Sequence, residues 1–168
     1  MQRLHDMILP EIGLFTNIGE AHGVNFHSME DKINEKLKLF IGSKKLICSR
    51  DNPFLFEKVK AFCTHNNIEL VSYESETLVR NFCLPFSDRA SRENAASAFV
   101  LCRQIGISEQ RLKERMHKLS ALDMRLQLKE SVGGSLLLND SYCLDITSLE
   151  AAVDFLNTYD KKLSRCVI

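Results

Sequence analysis

Residues 44–73, KKLICSRDNPFLFEKVKAFCTHNNIELVSY, decide the fold. They open on KKLICS (44–49) and close on IELVSY (68–73), two short apolar runs that read as strands. Between them, PFLFEKVKAFCTHN (53–66) is long enough for several helical turns and starts with Pro53, which suits the first turn of a helix. A strand, a helix and a strand in that order point to a crossover and to parallel pairing, the signature of an α/β sheet. Upstream, EIGLFTNIG (11–19) is another apolar run, ended by Gly19. It reads as a buried strand followed by a loop. SMEDKINEKLKLF (28–40) then reads as a helix, with Ser28 as its N-cap and an acid, Asp31, three positions on. Met29, Ile33, Leu37 and Phe40 repeat at helical spacing along it. Downstream, VRNFCLPF (79–86) looks extended, and helices are expected near 90–105 and near 108–118, the second capped by Ser108.

The rhythm changes near Ala121–Met124. RLQLKES and SLLLND, joined by VGG, predict a two-strand ribbon with a Gly133–Gly134 turn. Thr147 and Glu150 then read as a capping box, with Leu149, Val153 and Leu156 as an apolar stripe. The last residues, SRCVI, look like a strand just starting, so the second unit is expected to continue beyond Ile168. Two units are expected, 1–122 and 123–168.

Composition sets limits on function. Lys+Arg and Asp+Glu are both 22, and this zero balance argues against a general nucleic-acid or membrane-surface binder. No apolar run approaches the roughly 20 residues that would span a bilayer. The N-terminus carries an acid and lacks the long apolar core of a signal peptide. Six cysteines are scattered without a CxxC, which suits reduced thiols in a cytoplasmic protein better than a disulfide scaffold or a zinc site. The seven glycines form neither GxxxxGK[ST] nor GxGxxG, so the chain holds no phosphate-cradling loop.

Three places could carry chemistry. Lys36 falls inside the apolar stripe of the 28–40 helix, a stripe roughly 80° wide at about 100° per residue. A lysine there must reach solvent, find a partner or change its chemistry, and the plain solution is snorkelling, in which the stem packs and the charge escapes. His22, with Glu20, lies just past the first strand, at the carboxyl end where open α/β sheets bind ligands; the plain alternative is ordinary loop residues. Asp140 ends the apolar run LLLND, where a carboxylate suits a ribose hydroxyl or equally a turn or helix cap.

Several motifs add to this reading. GLFTNIGEAHGVNFHSMEDKINEKLKLF, LPFSDRASRENAASAFVLCRQIGIS, DMRLQLKE and LLLNDSYCLDITSLEAA, in that order, closely resemble the Mur ligases, which add amino acids or dipeptides to the peptidoglycan precursor. The resemblance covers nearly the whole chain. It is strongest to the branch that adds D-alanyl-D-alanine to the UDP-N-acetylmuramoyl tripeptide, in the form fused to an alanine racemase.

The resemblance implies the back half of a central ATP-binding domain over 1–122 and the start of a Rossmann-like C-terminal domain over 123–168, with a hinge near Asp123. His22 matches a magnesium-holding histidine, and Lys36 matches a lysine carbamylated by CO2, whose oxygens suit a hard cation. The interval of 14 residues between them is the one this branch implies. Asn94 matches an asparagine near the adenine of ATP, Arg125 an arginine that reaches the ATP phosphates, and Asp140 the ribose-binding aspartate. Pyridoxal phosphate is implied only if a racemase domain follows.

The chain departs from the family at Asp88-Arg89-Ala90-Ser91, where His-Asn is usual, and at Cys143, where asparagine is usual. It lacks the phosphate loop and the N-terminal substrate domain, so the piece alone is expected to be inactive. Sheet edges left open would favour self-association. Another Mur ligase, a folylpolyglutamate synthetase, or a non-catalytic binding module with the same fold remain the alternatives.

Overall fold

In a computed structural model, residues 1–19, 26–86, 88–120, 126–142 and 146–158 are described, and they fall into two compact units, Met1–Leu119 and Ser120–Ile168. The first unit is built on three parallel strands, β1 (Ile12–Phe15), β2 (Lys45–Ser49) and β3 (Glu69–Tyr73), in the order β1-β2-β3. Leu14 sits opposite Ile47, and Ile47 opposite Val71. The central strand β2 is buried from Leu46 to Ser49, as a strand covered on both faces must be.

Because side chains alternate across a strand, β2 feeds two cores. Leu46 and Cys48 join Ile33, Leu37 and Phe40 of the first crossover and Leu55, Val59 and Cys63 of the second. Ile47 joins Tyr73, Val79, Phe99, Val100, Leu112 and Met116 on the opposite face. Two helices therefore cover one face: α2 (Met29–Leu37, continued by a 3-10 turn over Lys38–Phe40) and α3 (Pro53–Asn66). The other face carries α5 (Arg89–Gln104) and α6 (Glu109–Met116). A short α1 (Gln2–Ile8) precedes β1, and α4 (Ser75–Val79) follows β3.

The helix starts are written locally. Ser28 Oγ accepts from the Asp31 N–H at 3.0 Å, Asn52 Oδ1 from the Leu55 N–H at 3.1 Å, and Asp88 Oδ1 from the Ser91 N–H at 2.8 Å. Each such cap is worth about 1 kcal/mol. Ser108 precedes α6 as expected but makes no side-chain capping bond. In β1, Gly13 leaves no room for a side chain, since Phe40 and Leu46 fill the space above it.

The stretch 79–86 is not a strand. Val79 ends α4, and the chain then runs through turns to Phe86. Its alternation has another cause: Phe82, Leu84 and Phe86 all pack against the second core. In the second unit, β4 (Gln127–Glu130) and β5 (Leu136–Asn139) pair antiparallel around Gly133 and Gly134. Both glycines have positive φ, at 86° and 78°, which a tight hairpin turn demands. The last helix, α7 (Ile146–Thr158), starts one residue before Thr147, so Thr147 lies in its first turn rather than at the N-cap. Leu149 and Val153 of the expected stripe are exposed, and Leu156 is half-buried. SRCVI lies outside the described residues.

Candidate functional site

Parallel strands all end on the same side, so the loops leaving β1, β2 and β3 gather at one edge of the sheet. Thr16 and Asn17 follow β1, Arg50 to Asn52 follow β2, and Glu74 and Ser75 follow β3. The first turns of α5 approach the same edge from the second face. These parts enclose a cleft of about 820 Å³, lined by Asp51, Ser75, Glu76, Phe82, Leu84, Arg89 and Arg92 among others. It shares Asp51, Ser75, Arg89 and Glu93 with a recess of about 110 Å³, to which Thr16, Asn17, Asn52, Tyr73, Asn94 and Ser97 contribute.

Asp51 organises this edge. Its carboxylate accepts from Ser49 Oγ at 2.5 Å and from the Ser75 N–H at 3.2 Å, which ties the exit of β2 to that of β3. Burial would raise its pKa. The hydrogen bonds from Ser49 and Ser75 and the charge of Arg89 outweigh burial and hold the carboxyl below its usual range. The Ser75 hydroxyl is buried at 1% exposure and makes no hydrogen bond of sound geometry among the described residues, although it lies near enough to the Asp51 carboxylate to help hold that group down.

Around it the charges are held in pairs. Arg92 grips Glu76 through Nε and Nη2 at 2.8 and 2.9 Å, and Arg89 Nε meets Glu93 at 2.6 Å. The bond from Arg92 holds Glu76 below its usual range. Tyr73 and Ser97 bond through their hydroxyls at 2.6 Å at the floor, and burial raises the tyrosine pKa. The cleft therefore offers fixed acceptors and donors beside the aromatic faces of Phe82 and Phe86. Such a surface suits a flat, polar, partly charged ligand.

Of the residues singled out in the sequence, Asn94 is exposed and lines the recess. Lys36 is half-buried on α2 and lines neither cavity; no hydrogen bond or ion pair of its amine occurs among the described residues. The fully buried lysine of α2 is instead Lys32, at 4% exposure, whose Nζ donates to the Gly19 carbonyl at 2.6 Å. At about 100° per residue Lys36 falls roughly 20° and Lys32 roughly 60° beyond the Met29 edge of the stripe, and it is Lys32 that meets the segment leaving β1. Asp140, in the second unit, accepts from the Leu126 N–H at 3.0 Å, so one of its oxygens braces the start of the ribbon. Glu20, His22, Arg125 and Cys143 lie outside the described residues. Among those described, no three His, Cys, Asp or Glu side chains come together as a metal cage.

Asp51 and Ser75 are not singled out by the sequence reading, and Arg89 enters it only within the departure at Asp88–Ser91. The signal was present: SRDNP is a polar run directly after a buried strand, as TNIGEAH is after β1.

The Mur ligase middle domain family matches residues 1–102. The chain belongs to that family. This Mur ligase chain is 29% identical over 175 residues to the UDP-N-acetylmuramoyl-tripeptide--D-alanyl-D-alanine ligase of Bacillus subtilis (strain 168), a match covering 92% of the chain and 38% of that protein. It is 31% identical over 146 residues to the UDP-N-acetylmuramoylalanine--D-glutamate ligase of Desulfovibrio desulfuricans (strain ATCC 27774 / DSM 6949 / MB), covering 86% of the chain and 32% of that protein. In fold it is similar to MurF from Acinetobacter baumannii, with a TM-score of 0.77 at 17% identity, over 93% of the chain and 39% of that structure. The chain thus spans less than two fifths of the length of these relatives. The α/β fold and the Mur ligase resemblance read from the sequence both hold. No helix of the described residues is long and apolar enough to cross a membrane.

Proposed function

We propose that the chain is part of an ATP-dependent ligase that joins D-alanyl-D-alanine to the UDP-N-acetylmuramoyl tripeptide in peptidoglycan synthesis, in the cytoplasm, and that these residues alone do not turn over. The observation that carries the reading is the 29% identity to the Bacillus subtilis tripeptide–dipeptide ligase. It extends over 92% of the chain and so into the second unit, beyond the family match at 1–102. In this reading the first unit belongs to the central ATP-binding domain and the second begins the C-terminal domain, with the hinge near Asp123.

The reaction has two steps. The terminal carboxylate of the tripeptide attacks the γ-phosphorus of ATP, giving an acyl phosphate and ADP. The amine of D-alanyl-D-alanine then attacks the acyl carbon, forming the peptide bond and releasing phosphate. The cleft at the carboxyl edge of the sheet would take the nucleotide end, with Asn94 beside the adenine. Arg125 on the phosphates and Asp140 on the ribose rest on their motifs alone. His22 and Lys36 would hold Mg²⁺, whose chemistry is to offset charge on the phosphoryl oxygens. An ammonium has no lone pair to offer, so Lys36 could serve only as a carbamate, formed when its neutral amine adds CO2 and loses a proton. The amine of Lys36, half-buried and without a hydrogen bond or ion pair among the described residues, is compatible with that.

The test is phosphate release by the full-length parent with ATP and three substrate pairs in parallel. These are the tripeptide with D-alanyl-D-alanine, UDP-N-acetylmuramoylalanine with D-glutamate, and UDP-N-acetylmuramate with L-alanine. Turnover with the first pair alone supports the reading, and turnover with another pair refutes it. The 31% identity to a D-glutamate ligase favours the second pair as the competing outcome. Fusion to a racemase, with its pyridoxal phosphate, would show as alanine racemisation by the same full-length protein. Self-association of the present chain is expected from its sheet edges, and a monomer by light scattering would count against it.

A further inference from the structure

Two of the ion pairs that line the cleft are built in opposite senses. In the pair between α4 and α5, the Arg92 side chain is the enclosed partner at 21% exposure and Glu76 the open one at 63%. In the pair within α5, Glu93 is enclosed at 24% and Arg89 is open at 79%. An open partner turns to solvent at little cost, because exposed pairs contribute little to stability. The enclosed partner stays in the wall.

Arg92 is therefore a cation fixed in the cleft and held by a carboxylate that is free to leave. Its Nε and Nη2 meet the two Glu76 oxygens one to one, at 2.8 and 2.9 Å. A flat guanidinium fork filled in this way fits a carboxylate or a phosphate equally well. Glu76 is the less secure of the two. It stands on the five-residue α4, Asp51 on the same cleft repels it, and Arg80, four residues on, attracts it. Arg92 closes the first turn of α5, a sixteen-residue helix capped by Asp88, where the helix dipole also favours a negative charge.

We propose that Arg92 is an oxyanion-binding residue of the cleft and that Glu76 is its resident stand-in, displaced when a ligand brings a phosphate or carboxylate group. The pair is then a latch rather than a brace. The inference rests on the cleft being the ligand site, as in the proposed function, and adds which wall residue meets the ligand's charge. No covalent bond changes: one oxyanion replaces another on the same N–H donors, and Glu76 turns to solvent beside Arg80.

The experiment titrates the wild-type chain, Glu76→Gln, Arg92→Gln and the double variant with ATP, adenosine, inorganic phosphate and D-alanyl-D-alanine. Calorimetry gives the dissociation constants, and ¹⁵N NMR follows the Arg92 Nε–H signal. Glu30→Gln is the charge control, since it removes an exposed carboxylate from the helices on the other face of the sheet. Glu76→Gln should tighten oxyanion binding by about two- to fivefold, because the competitor is gone. Arg92→Gln should weaken it by about tenfold or more, and the double variant should bind no better than Arg92→Gln. Glu30→Gln should match the wild type. A pair that serves only to brace α4 against α5 would lower the melting point of Glu76→Gln and leave its binding unchanged or weaker, which overturns the proposal. Equal tightening in the Arg92→Gln background overturns it too, as does an Arg92 signal that no oxyanion moves. The ligands separate the sources. Tightening confined to ATP and phosphate identifies a phosphate group. Tightening confined to D-alanyl-D-alanine identifies a carboxylate, which keeps the latch and removes the nucleotide from the cleft. ATP and adenosine binding equally well, with no effect of Glu76→Gln, would keep the nucleotide there and refute the latch.

Discussion

Replacing Gly13 by alanine tests how tightly β1 is seated. The added Cβ would stand 2.7 Å from Cε1 of Phe40 and 2.8 Å from Cδ1 of Leu46. Carbon atoms are comfortable at about 3.5–4.0 Å, so both neighbours would have to retreat by most of an ångström. Neither has space: Leu46 is fully buried in the central strand, and Phe40 is 9% exposed beneath the turn that ends α2. The backbone of Gly13 does not have positive φ, so the penalty is steric rather than conformational.

Overpacking of this kind costs about 1–3 kcal/mol. Removing the extra freedom of glycine from the unfolded chain offsets about 0.4–1 kcal/mol of that. A net loss of about 1–2 kcal/mol remains, lowering the melting midpoint by roughly 3–6 °C for each kcal/mol in a unit of this size. Calorimetry and urea unfolding followed by circular dichroism measure it. A companion variant sharpens the result. If the clash is with the ring, Phe40→Leu should be less damaging in the Gly13→Ala background than alone, with a coupling of about 0.5 kcal/mol or more. A Gly13→Ala protein that melts at or above the wild type, or strictly additive effects of the two changes, would refute the packing argument.

Three further outcomes follow from the site and the core. The Asp51 carboxyl is held below its unfolded value of about 3.9, so the stability it contributes is present above that pH and is lost as pH falls through the depressed folded value. Asp51→Asn should therefore be less stable at neutral pH and show a shallower acid limb in a stability–pH series; superimposable limbs would contradict this. Ser75→Ala removes a buried hydroxyl that makes no hydrogen bond of sound geometry among the described residues, so unfolding free energy should stay level or rise by up to about 1 kcal/mol, and a clear loss in urea titration would mean that the hydroxyl reaches the Asp51 carboxylate. Burial pushes the Cys48 thiol up to about 12 and Cys63 to about 11. A thiol reagent at pH 8, mapped by peptide mass, should label exposed Cys83 well before either of them; early labelling of Cys48 would count against the closed core.

The sequence was most legible where local chemistry and the tertiary fold agree. The helix at 53–66 is observed with those bounds because Asn52 caps it, Pro53 fits its first turn, and Asn67 leaves it in a left-handed conformation. The ribbon of the second unit is marked in the same way by two glycines that take positive φ. Misreadings arise where two structures share one pattern. Alternate burial of Phe82, Leu84 and Phe86 looks like a strand, yet a turning chain that lays every second side chain on a helix-covered core gives the same spacing. The spacing along α2 singles out Lys36, yet Lys32 is the lysine enclosed and Lys36 is half-buried, because burial here depends on the segment leaving β1 as well as on the helix's own stripe. Within the first unit, the sequence reading applies the rule that ligands gather at strand ends to β1 alone. Asp51 and Ser75 follow the other two strands at the same edge, and their link depends on a strand order that no single stretch of sequence announces.

That link gives the first unit a built-in reporter. Thr16, Asp51, Ser75 and Asn94 come from four separate stretches of chain, and the recess they line exists only when β1, β2, β3 and α5 are all in register. A compound that occupies it can bind only the folded state, so its binding energy adds directly to the free energy of unfolding. At a hundredfold excess over its dissociation constant the gain is about 2.7 kcal/mol. Nucleotides, cell-wall precursors and chance fragments can therefore be ranked by how far each raises the melting point of the unit, without an assay of turnover.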